Sequence, residues 1–186
     1  MTKGWSKFCG WALRKMGWTS VGGPMTEKKA IVLGVPHTST GDFLVSYLFY
    51  AQFGKKARIM IKKEFFFFPL GPVLRALGAI PVDRGSAAAM VKGLIAEMDR
   101  TDEFHLAMAP EGTRKPVARW KTGYHLIARE TGATVYAGYF DWGRKRISCG
   151  ERFPLTNDAR ADTERLQRHY EAMGLEGKNK GGFITH

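Results

Sequence analysis

The sequence predicts an α/β domain: one layered unit in which a largely parallel sheet is flanked by helices, with an amphipathic helix in front. Three observations carry this. From residue 30 to residue 150, strand-like apolar runs alternate with helix-like runs, as in repeated strand–helix units. A chain of 186 residues is long enough for one full-sized core and short for two. No internal repeat and no long linker interrupts the pattern.

The elements follow in order. AIVLGV (30–35) is a buried strand, and residues 42–53 form an apolar helix. ARIMI (57–61) is a second strand. PLGPVLRALG (69–78) is a short helix with proline near its start and glycine at its end. AIPV (79–82) is a short strand and SAAAMVKGLIAEMDR (86–100) a helix. FHLAMA (104–109) is a strand, WKTGYHLIARETG (120–132) a helix, and TVYAGYF (134–140) a strand. RISCGERF (146–153) reads as an edge strand, DARADTERLQRHYEAM (158–173) as a polar amphipathic helix, and the last dozen residues as loose chain.

The first 29 residues stand apart, so the expected division is an amphipathic membrane-interface segment at 1–29 and the main domain at 30–186. Trp5, Phe8, Cys9, Ala12, Leu13 and Met16 follow the spacing of one helical face, with Lys3, Lys7 and Arg14 opposite. Six basic residues (Lys3, Lys7, Arg14, Lys15, Lys28, Lys29) face one acidic residue, Glu27, and Trp11 and Trp18 sit at the margin. A basic helix bordered by tryptophans suits an anionic membrane surface. The same spacing also suits a helix that packs its stripe on the domain and leaves its lysines in solvent.

Composition narrows the partners. The formal charge of +12 favours anionic partners: a membrane surface, phosphorylated ligands or nucleic acid. Nucleic acid is the poorest fit, because the aromatics fall in apolar runs rather than along a basic groove. Cys9 and Cys149 form no paired or zinc-like spacing and read as ordinary thiols of a reducing compartment. No run has the ~18 apolar residues of a spanning helix. The expected location is therefore peripheral, on the cytoplasmic side of a membrane.

Three loops follow strands, where sites gather in such folds. In PHTSTGDF (36–43), a continuous helix would set His37 and Asp42 about 140° apart. They meet only if His37 lies in the loop and Asp42 in the first helical turn. That arrangement suits a dyad in which the carboxylate orients the imidazole and the imidazole takes a proton from a hydroxyl. The octet by itself reads at least as well as a helix cap, with Asp42 on backbone amides. APEGTR (109–114) offers Arg114 as a fork of donors for phosphate, beside Gly112, where backbone can approach a ligand. It also reads as a surface turn with a local Glu–Arg pair. PVDRG (81–85) places Arg84 just past a strand, as a partner for Arg114 in an anion site or as a solvated side chain.

Together, in this order and spacing, H-x4-D, the arginine after a short strand and PEGTR resemble the glycerolipid acyltransferase family, whose best-known members are the 1-acylglycerol-3-phosphate acyltransferases. KKEFFFFPLGPVLRALGAIPVDRG (62–85) and WKTGYHLIARETGATV (120–135) are similar to the family's flanking segments, and the likeness covers residues 30 to 141. A shorter subgroup is similar around PHTS…D and YFDW…K. The resemblance implies a general base, His37, oriented by Asp42, and a phosphate site of Arg84, Glu111, Gly112, Thr113 and Arg114. It implies a fatty acyl thioester on CoA or acyl carrier protein as donor, a lysophospholipid hydroxyl as acceptor, and neither a metal nor a bound cofactor. The residues alone leave two rivals: a thioesterase using the same dyad, and a non-catalytic basic module on a membrane.

Overall fold

The computed structural model of the protein describes residues 1–82 and 87–179. The chain runs α1 (Lys3–Lys15), β1 (Thr19–Val21), β2 (Lys29–Leu33), α2 (Gly41–Gln52), β3 (Arg58–Lys62), α3 (Leu70–Ala76), β4 (Ala79–Val82), α4 (Ala87–Asp99), β5 (Phe104–Met108), α5 (Gly123–Thr131), β6 (Thr134–Tyr136), β7 (Tyr139–Asp141), β8 (Arg146–Ser148) and α6 (Ala159–Met173). Strands β4-β3-β5-β2-β6 form a five-stranded sheet in which every pair is parallel. The predicted α/β class is the observed one.

The core is split by this sheet, and the pleat decides which residue goes where. Successive side chains of a strand point to opposite faces. In β2, Ile31 and Leu33 join a cluster with Leu94, Met98, Tyr124, Ile127, Leu166 and Tyr170, from α4, α5 and α6. Ala30 and Val32 join the other cluster, with Cys9 and Leu13 of α1 and Val45, Leu48 and Phe49 of α2. β2 is thus apolar from Ala30 to Leu33 because helices cover both faces.

The predicted strand 134–140 is two strands in different sheets. β6 ends the large sheet, while β7 pairs antiparallel with β8 in a second, three-stranded sheet, β1-β8-β7. The chain crosses between them at Ala137 and Gly138. A Cβ on Gly138 would lie 2.5 Å from Val32 and 2.9 Å from the Leu33 carbonyl oxygen, so only glycine passes there. Tyr170, fully buried, donates its hydroxyl to the carbonyls of Gly138 (2.8 Å) and Leu33 (3.2 Å) and ties the crossing to β2. The predicted edge strand also differs: β8 is central, because β1 pairs along its other side.

The N-terminal helix combines both readings of its spacing. Thr2 caps it, accepting from the Trp5 amide. Cys9, Gly10 and Leu13 are buried, and Cys9 and Leu13 pack in the cluster with α2. Leu13, expected on the membrane-facing stripe, faces the domain instead. Trp5, Phe8, Trp11 and Met16 stay 40–50% exposed. Trp5 and Phe8 stack at 5.3 Å, and Phe8 lies 5.9 Å from Trp11. Beyond the helix, Trp18 and Met25 are buried, so residues 18–29 belong to the folded body. Among the described residues no helix is long and apolar enough to cross a membrane.

Candidate active site

The sheet brings two of the three predicted loops together. β2 and β5 are parallel neighbours in register, with Leu33 opposite Met108. Their loops therefore leave the carboxyl edge side by side. His37 follows four residues after Leu33 and Glu111 three after Met108. The peptide N–H of His37 donates to both carboxylate oxygens of Glu111, at 3.0 and 3.1 Å. A contact 74 residues apart in sequence joins the PHTSTGDF and APEGTR motifs.

His37 and Asp42 do meet. Nδ1 of His37 lies 3.1 Å from Oδ2 of Asp42, with the imidazole in the loop and the carboxylate in the first turn of α2. The same Oδ2 accepts the amides of Thr38 and Ser39, both at 2.9 Å. Oδ1 accepts from the Ser39 hydroxyl (3.0 Å) and the Trp142 indole N–H (2.8 Å). The cap and the ring contact are one structure: the carboxylate that closes the loop on backbone amides also holds the ring. Asp42 is 2% exposed, and its burial disfavours charge. Hydrogen bonds from His37, Ser39 and Trp142 outweigh that burial and hold the carboxyl below its ordinary range. An ionised carboxylate only accepts, so Nδ1 carries the proton and Nε2 is the basic nitrogen of the ring. The imidazole is about one-third exposed.

Glu111 behaves oppositely. Burial pushes its carboxyl up to about 8, the His37 N–H pulls it back only in part, and the Asp42 charge adds to the rise. Resemblance put Glu111 among the phosphate ligands, but its carboxyl group is buried on the histidine's own peptide N–H. Gly112, at φ +67°, turns the chain outwards, its N–H on the Ala109 carbonyl at 3.1 Å. Thr113 is half-buried and accepts from the Lys115 amide (3.2 Å), and Arg114 is exposed, three residues from the His37 contact. Arg84 lies outside the described residues, so its expected convergence with Arg114 is not part of this geometry.

Two groups at the site carried no predicted role. Trp142 directly follows β7, and its ring lies edge-on to Trp18 at 4.8 Å. The Lys145 and Lys178 ammonium groups stand 4.6 and 4.9 Å from its centroid. The signal was the tryptophan two residues after the apolar run 134–140, in YFDW, with no sequence cue that it returns to Asp42. The other is the chain after α6, expected to be loose. Leu175 is buried in the core, and residues 176–179 lie on Thr38 and Trp142. Among the described residues, no group of three or more His, Cys, Asp or Glu side chains could hold a metal ion.

No curated protein sequence matches the chain. A solved structure, the 1-acyl-sn-glycerophosphate (LPA) acyltransferase PlsC from Thermotoga maritima, superposes with a TM-score of 0.63 at 19% identity, over 95% of this chain and 81% of that one. It shares the fold. A family model described as Acyltransferase matches residues 19–140. That stretch is more than half of the chain and contains the His37 loop, α2 and the Glu111 loop, and by it the protein belongs to the acyltransferase family.

Proposed function

We propose that the protein moves a fatty acyl group from a thioester, on CoA or acyl carrier protein, to the hydroxyl of a lysophospholipid, with 1-acylglycerol-3-phosphate the first acceptor to try. One observation carries the reading: a solvent-reachable imidazole whose Nδ1 is held by a buried, ionised carboxylate. His37 Nε2 takes the proton as the acceptor oxygen attacks the thioester carbon. The tetrahedral adduct then breaks its C–S bond, and the imidazolium returns the proton to the leaving sulfur. Asp42 fixes the ring and stabilises its cation. Acyl transfer is direct, with no acyl-enzyme. Arg114 and the Gly112–Thr113 backbone read the acceptor's phosphate, a task for which a guanidinium fork is suited. Arg84 is proposed with them on the sequence resemblance alone. Glu111 works as a brace for His37 rather than as a phosphate ligand.

The PlsC likeness supports this choice of acceptor. The test is a panel of lyso-acceptors offered to the purified protein with acyl-CoA and with acyl carrier protein, the products read by mass spectrometry. Phosphate-bearing acceptors are expected to be acylated, and Arg114→Ala to raise their KM while leaving that of the donor unchanged. Release of free fatty acid with no acylated lipid would favour the thioesterase instead.

The protein is further proposed to work on the cytoplasmic side of a membrane, held there by α1. Its exposed Trp5–Phe8–Trp11 stripe suits the interface, and each nearby cation adds about 1 kcal/mol at an anionic surface. Because Trp18 and Met25 are core residues, deleting the segment would damage the fold. The full chain carrying Phe8→Ser and Trp11→Ser is the cleaner probe. It is expected to lose most co-sedimentation with anionic vesicles at an unchanged melting temperature. Equal binding by variant and parent would end the anchoring claim.

A further inference from the structure

Residues 176–179 were expected to trail free, yet they are fastened to the loop that carries His37. The Glu176 carbonyl accepts the Trp142 amide at 2.8 Å. Gly177 lies on Thr38 so closely that a Cβ there would stand 2.5 Å from the threonine methyl and 2.9 Å from its hydroxyl oxygen. The Lys178 and Asn179 amides donate to the Thr38 hydroxyl at 2.9 and 3.4 Å, and the Asn179 side-chain amide donates to the Thr38 carbonyl at 2.7 Å. The Lys178 ammonium covers the Trp142 ring.

The two residues gripped this way have one thing in common. The Thr38 amide and the Trp142 indole are both donors to Asp42, one to each carboxylate oxygen. Thr38 is 1% exposed and carries Asp42 on one side and the tail on the other. We infer that residues 176–179 are a positioning strap for the His37–Asp42 pair, acting through Thr38 and Trp142, with Asn179 its principal clasp. The inference rests on the proposed role of His37. It assigns a function in the active site to an exposed asparagine 142 residues away in sequence from that histidine.

The strap makes a demand that ordinary surface chain does not. Exposed polar side chains away from special features tolerate substitution. A carboxylate whose donors drift, by contrast, lets the ring it orients drift too, and a misplacement of about 1 Å can cost on the order of 100-fold in rate. In the full-length protein, Asn179→Ala and Gly177→Ala are expected to lower kcat by roughly tenfold or more, with both KM values nearly unchanged. Thr38→Ser, which keeps the hydroxyl, should stay near the parent, whereas Thr38→Val should fall with Asn179→Ala. The double variant Thr38→Val/Asn179→Ala should be little worse than either alone, since both cut one connection. A second readout needs no turnover: the ring resonances of His37 in NMR are expected to move in Asn179→Ala. Parental kcat in Asn179→Ala and Gly177→Ala, in a protein that His37→Ala inactivates, would overturn the strap. Unmoved His37 resonances would overturn it even if no acyl transfer were found, so the two readings fail separately.

Discussion

Replacing His37 by alanine is expected to lower acyl transfer by roughly 10²- to 10⁴-fold, the usual cost of losing a positioned general base. The fold should survive. The imidazole is about one-third exposed, and the backbone N–H that meets Glu111 is unaffected by the side chain. Asp42 keeps four of its five donors, from the Thr38 and Ser39 amides, the Ser39 hydroxyl and the Trp142 indole. The expected result is therefore a large loss in kcat with a melting temperature within a few degrees of the parent. A variant with near-parental turnover would leave Asp42 as a helix cap and His37 without a catalytic task. Asp42→Asn makes an instructive companion. Asparagine is a good cap in general, but here one oxygen already takes three donors and the other two. An amide nitrogen on either side would face N–H or O–H groups, so this variant is expected to lose stability as well as rate.

Spacing made His37 and Asp42 legible, and the order of three loops made the family legible. What remained hidden depended on neighbours in space. That Glu111 braces His37 follows from β5 lying next to β2, and strand order leaves no mark on either strand's own sequence. The break between β6 and β7 is forced at Gly138 by Val32 and Leu33, a hundred residues earlier. β1 is three residues, TSV, too short to show a period, and without it β8 looks like an edge. Residues 176–179, EGKN, have the composition of free chain, and what holds them is backbone amides and one asparagine rather than an apolar face, so no hydrophobic pattern marks them. The aromatic stripe of α1 was visible, but its division between α2 and solvent was not, since a stripe of that width serves either partner.

The second large effect belongs to Glu111, and it should be visible in stability as well as rate. Burial pushes its folded carboxyl up to about 8 from an ordinary 4.5. A group raised in this way binds more protons in the folded state than in the unfolded one between those two values. Stability therefore falls as pH rises through that window, at about 1.4 kcal/mol per unit of displacement as an upper bound. Asp42, held low, runs the other way: its contribution is present at neutral pH and is lost as pH falls through its folded value. Glu111→Gln keeps an acceptor for the His37 N–H and removes the charge. It is expected to match the parent near pH 4.5, at the foot of that window, and to exceed it in melting temperature near pH 9. Glu111→Ala removes the acceptor, leaves the His37 N–H unpaired and opens a void. A loss of about 1–3 kcal/mol is expected at both pH values. Its kcat should also fall by roughly 100-fold, because the loop that carries the base is free to shift by about 1 Å. Calorimetry of the three proteins at the two pH values, with kcat measured alongside, separates these effects. If Glu111→Gln keeps the parent's decline towards alkaline pH, the titrating group is not Glu111. If Glu111→Ala turns over like the parent, the contact between the two loops does not position His37.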